Sequence, residues 1–266
     1  MKEIIKKELD KHTNPQIKRL ALAEFLQHLI LQSLYRQNAF KNITFTGGTA
    51  LRLLYNTGRY SEDLDFSFTE KKNAKLEILL TNIKKDLGLQ GLKLDLYTKS
   101  SKTVFKSDLR FLELLKEFNL SLLKDQKLTI KLEIDTNPPK GGEKEILLVT
   151  SPVSYTVSVF DLPSLFATKL HAVFYRKYVK GRDYYDLIWY LGKKVKPNFK
   201  LLNNAIKQTQ KNTDKITEEN FKPRLIQQIE SINFQEIKRD IEKLIINHEE
   251  LKFIKPEHIK SLLRNY

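Results

Sequence analysis

Two short stretches combine residue types that phosphate chemistry uses: Gly47-Gly48-Thr49 and, a little further on, Asp63-Leu64-Asp65. Carboxylates two residues apart on a strand project from the same face. Held side by side they repel, unless a cation sits between them. A hard divalent ion, Mg²⁺ above all with Mn²⁺ as the alternative, binds through a few carboxylates and keeps positions for water and substrate phosphates. Glycines let a phosphate approach the backbone, and a helix that opens beside them offers free N–H groups and a favourable dipole. Taken alone, Asp-x-Asp or Gly-Gly is more often structural. Together, Gly47, Gly48 and Thr49 as a phosphate cradle beside the acids Asp63 and Asp65 describe a metal–nucleotide site.

Two-metal phosphoryl chemistry calls for a third carboxylate. Glu133 and Asp135 both qualify, on the polar side of an alternating run. Glu133 is favoured because it lies mid-strand, whereas Asp135 abuts a turn it could simply cap. Lys131 shares that side and could contact phosphate or neutralise an acid, although an ordinary solvated strand face would look the same. A second group comprises Lys169, then Arg176-Lys177, then Gly181-Arg182-Asp183-Tyr184-Tyr185-Asp186-Leu187. A lysine in an otherwise apolar helix either snorkels to the surface or serves an anion. Asp183 falls beside Asp186 and Leu187 in helical register. It could orient a basic residue or act as general base toward an attacking hydroxyl; otherwise it caps the helix, and Asp186 makes a surface salt bridge. Tyr175, Tyr178, Tyr184, Tyr185 and Tyr190 could stack bases, but their helical spacing favours core and rim.

The elements that must position these residues follow from periodicity. Apolar side chains at helical spacing over 16–38 describe a long, largely buried helix. A short strand over 42–46 runs into Gly47-Gly48, and Thr49 is placed to cap a helix through Tyr55. Asp63–Phe68 alternates strictly, with Leu64, Phe66 and Phe68 opposite Asp63, Asp65 and Ser67. A helix over about 73–87 and a strand over 92–96 follow, and 107–123 carries no clear pattern. Leu128–Asp135 is a second alternating strand, closed by the turn Asn137-Pro138-Pro139-Lys140-Gly141-Gly142. Beyond 160 the pattern turns helical. Asp161-Leu162-Pro163-Ser164 is a strong helix start, with helices expected at 163–179, 182–191, 199–210, 219–229, 235–246 and 256–264. The fold class expected is α+β. A mixed sheet flanked by helices fills 1–160, and a helical domain over 161–266 contributes Lys169 and Asp183 to the site.

Composition limits the alternatives. Of 266 residues, 41% are hydrophobic and 10% aromatic, enough for a folded core. Cysteine is absent, which excludes disulfides, thiolate zinc sites and thiol nucleophiles. The five histidines show no metal-ligand spacing, and no Walker A, Rossmann or Gly-x-Ser-x-Gly pattern occurs. The absence of a long apolar run or leader-like start sets the expectation of a cytoplasmic protein with no membrane partner. The net charge of +15 points to a solvated basic surface or to a polyanionic partner such as nucleic acid. Residues 169–196 hold eight Lys/Arg against two Asp, so much of the excess lies beside Lys169 and Asp183.

The motifs resemble those of the AbiEii nucleotidyltransferase toxins, which with the MenT-type toxins belong to the DNA polymerase β-like nucleotidyltransferase superfamily. Gly47-Gly48-Thr49-Ala50-Leu51-Arg52-Leu53 with Arg59-Tyr60-Ser61-Glu62-Asp63-Leu64-Asp65-Phe66 is similar to motif I. Lys131-Leu132-Glu133-Ile134 resembles the second motif, Lys169-Leu170-His171-Ala172 the third, and Arg182-Asp183-Tyr184-Tyr185-Asp186-Leu187 the fourth. The second motif often carries Asp where this chain has Glu133. The resemblance implies a toxin of a toxin–antitoxin, abortive-infection system. It implies NTP and Mg²⁺ as reactants, NMP transfer to RNA at the tRNA acceptor end, and a cognate antitoxin, often a winged-helix DNA-binding protein. Gly47, Gly48, Thr49, Lys131 and Lys169 would hold the triphosphate. Asp63, Asp65 and Glu133 would bind metal, and Asp183 would be the fourth-motif acid. The rival expectations are an NMP transferase acting on protein or a small molecule, and a catalytically silent nucleotide- or RNA-binding module.

Overall fold

The computed structural model describes residues 1–69, 76–123, 125–211 and 215–266. Its chain divides into two compact units. The first comprises Met1–Leu54, Tyr60–Asn137 and Ile146–Val159; the second comprises Tyr55–Arg59, Pro138–Glu145 and Phe160–Tyr266.

The first unit opens with α1 (Lys2–Leu9) and α2 (Pro15–Arg36). Asn14 caps α2, its side chain accepting from the N–H of Gln16 at 2.8 Å and of Ile17 at 3.3 Å. The apolar stripe read from the sequence is buried, including Leu22, Leu26, Leu29, Ile30 and Leu34. Then come β1 (Ile43–Thr46), α3 (Gly47–Tyr55), β2 (Asp63–Phe68), α4 (Leu76–Leu89), β3 (Leu94–Ser100) and β4 (Val104–Phe111). A four-residue helix α5 (Leu114–Glu117), β5 (Leu128–Asp135), β6 (Lys144–Val149) and β7 (Tyr155–Phe160) complete the mixed α/β part. The seven strands form one mixed sheet in the order β3-β4-β5-β2-β1-β7-β6. β2 runs parallel to β5 and antiparallel to β1, so the two alternating strands read from the sequence lie side by side. Their apolar side chains Leu64, Phe66, Leu128, Ile130, Leu132 and Ile134 are all buried. The opposite face is polar.

The second unit is helical: α6 (Leu162–Tyr175), α7 (Gly181–Gly192), α8 (Phe199–Thr209), α9 (Glu218–Glu230), α10 (Phe234–Glu242) and α11 (Pro256–Arg264). Asp161 caps α6 as its sequence promised, accepting from the N–H of Ser164 at 2.9 Å with Pro163 in the first turn. Phe166 stacks on Tyr190 at 4.5 Å between centroids and meets Phe221 edge-on at 6.4 Å, joining α6, α7 and α9 in one core. α7 packs so closely on α10 that a Cβ at Gly181 would lie 3.0 Å from the Ile241 nitrogen. No described helix is long and apolar enough to cross a membrane.

Several boundaries differ from the sequence reading. α3 starts at Gly47, so Thr49 lies in its first turn and is not its cap. The stretch without a clear pattern, 107–123, takes in the end of β4 and all of α5. β6 and β7 had no individual forecast. α6 stops at Tyr175, because Arg176 turns extended and reaches Asp183. Residues 73–75 of the expected helix 73–87 lie outside the described residues, and the rest is α4.

Candidate active site

In the first unit the site residues gather on the polar face of β2 and β5. The parallel ladder sets Asp63 beside Lys131, Asp65 beside Glu133 and Ser67 beside Asp135. In-register neighbours share a face, so Asp63, Asp65, Lys131, Glu133 and Asp135 form one patch. β1 leads straight into α3 at its other edge, with Thr46 opposite Asp65. Gly47 takes φ +79°, a left-handed conformation that L side chains rarely adopt. A Cβ there would lie 2.9 Å from Asp65 Cβ and 3.0 Å from its Cγ. The absent side chain therefore lets the start of α3 press against the Asp65 carboxylate. Thr49 is fully buried, and its hydroxyl donates to the Asp63 carbonyl, tying the first turn of α3 to the start of β2. Gln27 donates to the Ser61 carbonyl at 2.8 Å and fixes the approach to β2.

The third carboxylate is already engaged. Lys106 on β4 donates to both oxygens of Glu133, at 2.9 and 2.8 Å. Asp135 accepts from the Asn137 N–H at 2.9 Å, the turn-capping role foreseen as its alternative. Burial nonetheless raises its carboxyl above the ordinary value, against the lowering effect of that hydrogen bond. The donor chemistry of Asp63 and Asp65, carboxylate oxygens from one strand, fits a hard divalent cation. Among the described residues, no three His, Asp or Glu side chains are grouped so as to hold a metal. Asp63 and Asp65 supply two such carboxylates from one strand, and Glu133 beside them accepts from Lys106.

In the second unit Lys169, Asp183 and Asp186 come together with two arginines. Lys169 Nζ donates to Asp183 Oδ1 and pairs with Asp186 Oδ2, each at 2.8 Å. Arg176 Nη1 donates to Asp183 Oδ2 at 2.7 Å. Arg59, fully buried, grips fully buried Asp186 through Nε at 2.7 Å and Nη2 at 2.6 Å. Burial alone would raise the Asp186 carboxyl, but Arg59 and Lys169 outweigh it and hold it below the usual range. The expected surface salt bridge of Asp186 is therefore a buried one. Of the tyrosines, Tyr184, Tyr185 and Tyr190 are core, while Tyr178 is exposed. Sequence reasoning missed the roles of Arg59 and Lys106. The signal for Lys106 was the alternation of 104–111; Arg59, in a short polar stretch, gave no hint of a partner 127 residues away.

A mixed sheet that offers two acids on one strand beside a glycine-opened helix is the architecture of a nucleotidyltransferase fold, and solved structures agree. A candidate nucleotidyltransferase from Helicobacter pylori is similar with TM-score 0.55 and 20% identity, over 91% of this chain and 92% of that one. JHP933 from Helicobacter pylori is similar with TM-score 0.55 and 18% identity, over 93% of this chain and 91% of that one. No curated protein matches the sequence. The family model for the AbiEii nucleotidyl transferase toxin of type IV toxin–antitoxin systems matches residues 29–253, and the chain belongs to that family. It is a toxin–antitoxin nucleotidyltransferase, and the family implies an NTP substrate and a cognate antitoxin.

Proposed function

We propose that the chain is a Mg²⁺-dependent toxin that transfers NMP from an NTP to RNA, at the tRNA 3′ acceptor end, and so blocks translation. One observation carries the site: Asp63 and Asp65 share a face of β2 while the Gly47 backbone packs against Asp65. Asp63 and Asp65 would hold the cation, with Glu133, in register beside Asp65, as the third carboxylate. A divalent ion at such a site offsets charge on the transferring and leaving phosphates. The glycine-opened start of α3 receives phosphate on its free N–H groups. Thr49 serves there through its backbone and by locking the turn, since its hydroxyl is spent on Asp63. Lys131, beside Asp63, faces phosphate as well. In this reading the family resemblance gives Lys169 the role of phosphate-contacting cation and Asp183 that of fourth-motif acid, and as folded the two are bonded to each other.

The acceptor hydroxyl attacks the α-phosphorus, the bond to the β-phosphate oxygen breaks, and pyrophosphate leaves. The hydroxyl proton passes to a carboxylate. An RNA acceptor is supported by the charge of +15, six of it over 169–196, and in this reading the protein acts in the cytoplasm. The antitoxin of this reading is a winged-helix DNA-binding protein, and the pair acts in abortive infection. Incubation with labelled NTP and either total RNA or total protein tests the acceptor class: RNA is expected to take the label. Sequencing RNA 3′ ends from cells expressing the wild type or Asp65→Ala tests the target. Extended tRNA ends are expected in the wild type alone, and unchanged ends in both would remove tRNA as the acceptor.

A further inference from the structure

Outward from Asp65 the polar face changes character along one row. Asp65 pairs in register with Glu133, Glu133 with Lys106, and Lys106 with Lys99. With strands about 4.8 Å apart, Lys106 lies about 10 Å and Lys99 about 14 Å from Asp65 on the same face. Two features mark the outer end of this row. Lys99 and Lys106 stand directly opposite each other, and like charges so placed are destabilising. Glu133 satisfies Lys106 on its inner side, but among the described residues β3 is the edge strand, with no further strand beyond Lys99. One residue pair along, Tyr97 is 46% exposed. The Arg110 guanidinium lies 4.6 Å from its ring centroid, and Lys99 Nζ lies 5.3 Å from it. Asp108 holds that guanidinium in place at 2.9 Å. An unfavourable lysine pair beside an exposed aromatic–arginine stack suits a polyanion that carries planar groups.

We infer that the β3–β4 edge is the platform on which a single-stranded nucleic-acid acceptor lies while its end reaches Asp63 and Asp65. Lys99 and Lys106 take a backbone phosphate, and a base stacks on the Tyr97–Arg110 pair. Phosphate contacts supply affinity and stacking is tolerant of sequence, so this surface sets strand state and reach but does not read bases. A span of about 14 Å at about 3.4 Å per stacked nucleotide corresponds to roughly four nucleotides. The inference rests on RNA being the acceptor.

Fluorescence anisotropy of the full chain with labelled single-stranded RNA of increasing length tests it. Affinity should climb until the strand reaches about four nucleotides and then level off. Tyr97→Ala and Lys99→Glu should each weaken binding by about tenfold and raise the KM for RNA, leaving the KM for NTP and kcat unchanged. Lys99→Glu should also melt no lower than the wild type, because an acid opposite Lys106 replaces a repulsive pair. That result separates a lost contact from a lost fold. Wild-type binding of RNA that neither variant weakens would overturn the platform alone. Label entering protein and not RNA would defeat the acceptor reading and the platform with it.

Discussion

Two aspartate pairs, each spaced to share a face, end in opposite surroundings. Asp63 and Asp65, two apart on β2, sit part-exposed on the polar face of the sheet beside a helix start. Asp183 and Asp186, three apart on α7, are buried and enclosed by Arg59, Lys169 and Arg176. Spacing alone makes both pairs look like candidate acids. What differs is the company each pair keeps. The helical pair sits among cations it already neutralises, so removing one partner strands a buried charge. The strand pair is part-exposed, on the face of β2 that also carries Lys131 and Glu133 in register from β5.

Breaking the two pairs should therefore give different phenotypes. Asp63→Ala or Asp65→Ala should reduce nucleotide transfer to background while costing less stability than the loss of Arg59, because both side chains are part-exposed. Labelled-NTP transfer and urea unfolding on the same preparation read both numbers. Arg59→Met should do the reverse in kind, costing about 3–5 kcal/mol of stability because Asp186 loses its bidentate partner in a site closed to water. A cost below about 1 kcal/mol would show that Lys169 alone holds the acid, and that Arg59 is not the keystone of the second unit.

The first unit also contains a buried base, which sharpens the contrast with pH. Burial first, and the Arg52 charge second, lower His28 from its ordinary 6.5 to about 4. Its ring nitrogen shares a hydrogen bond of 2.8 Å with the Tyr155 hydroxyl. The unfolded chain takes up this proton first. The stabilisation is therefore complete above about pH 6.5 and drains away, by roughly 3 kcal/mol, as pH falls through 6.5 toward 4. His28→Gln should flatten that part of the stability profile; an unchanged slope would mean that other groups carry it. Gly47→Ala should cost less than the loss of Arg59, about 1–2 kcal/mol for a side chain forced into the left-handed region. Transfer should nevertheless fall as far as in Asp65→Ala, because the added Cβ displaces the Asp65 carboxylate.

Local patterns were legible from the sequence wherever one residue type repeats with the period of its element. β2 and β5 alternate without a break, and the structure reproduces both, side by side. The stop of α6 was not legible, because Tyr175 to Lys180 carries no breaker; the helix ends where Arg176 turns to meet an acid on the next helix. Thr49 looked like a cap because the sequence shows a hydroxyl after two glycines. It does not show that the Asp63 carbonyl would claim it. Arg59 and Lys106 escaped for the same reason. Each is one ordinary cation among 47 Lys/Arg, and only tertiary structure supplies Asp186 to the first and Glu133 to the second.

The most direct test of the sheet-face site is pyrophosphate release from NTP with total RNA and Mg²⁺, comparing wild type with Asp65→Asn at matched melting temperature. The amide keeps the shape of the side chain beside Gly47 but removes the charge that a divalent cation needs. Release should be robust in the wild type and absent from the variant. Equal release from both proteins would contradict the assignment of Asp65, and with it the placement of the transferase chemistry on the polar face of β2.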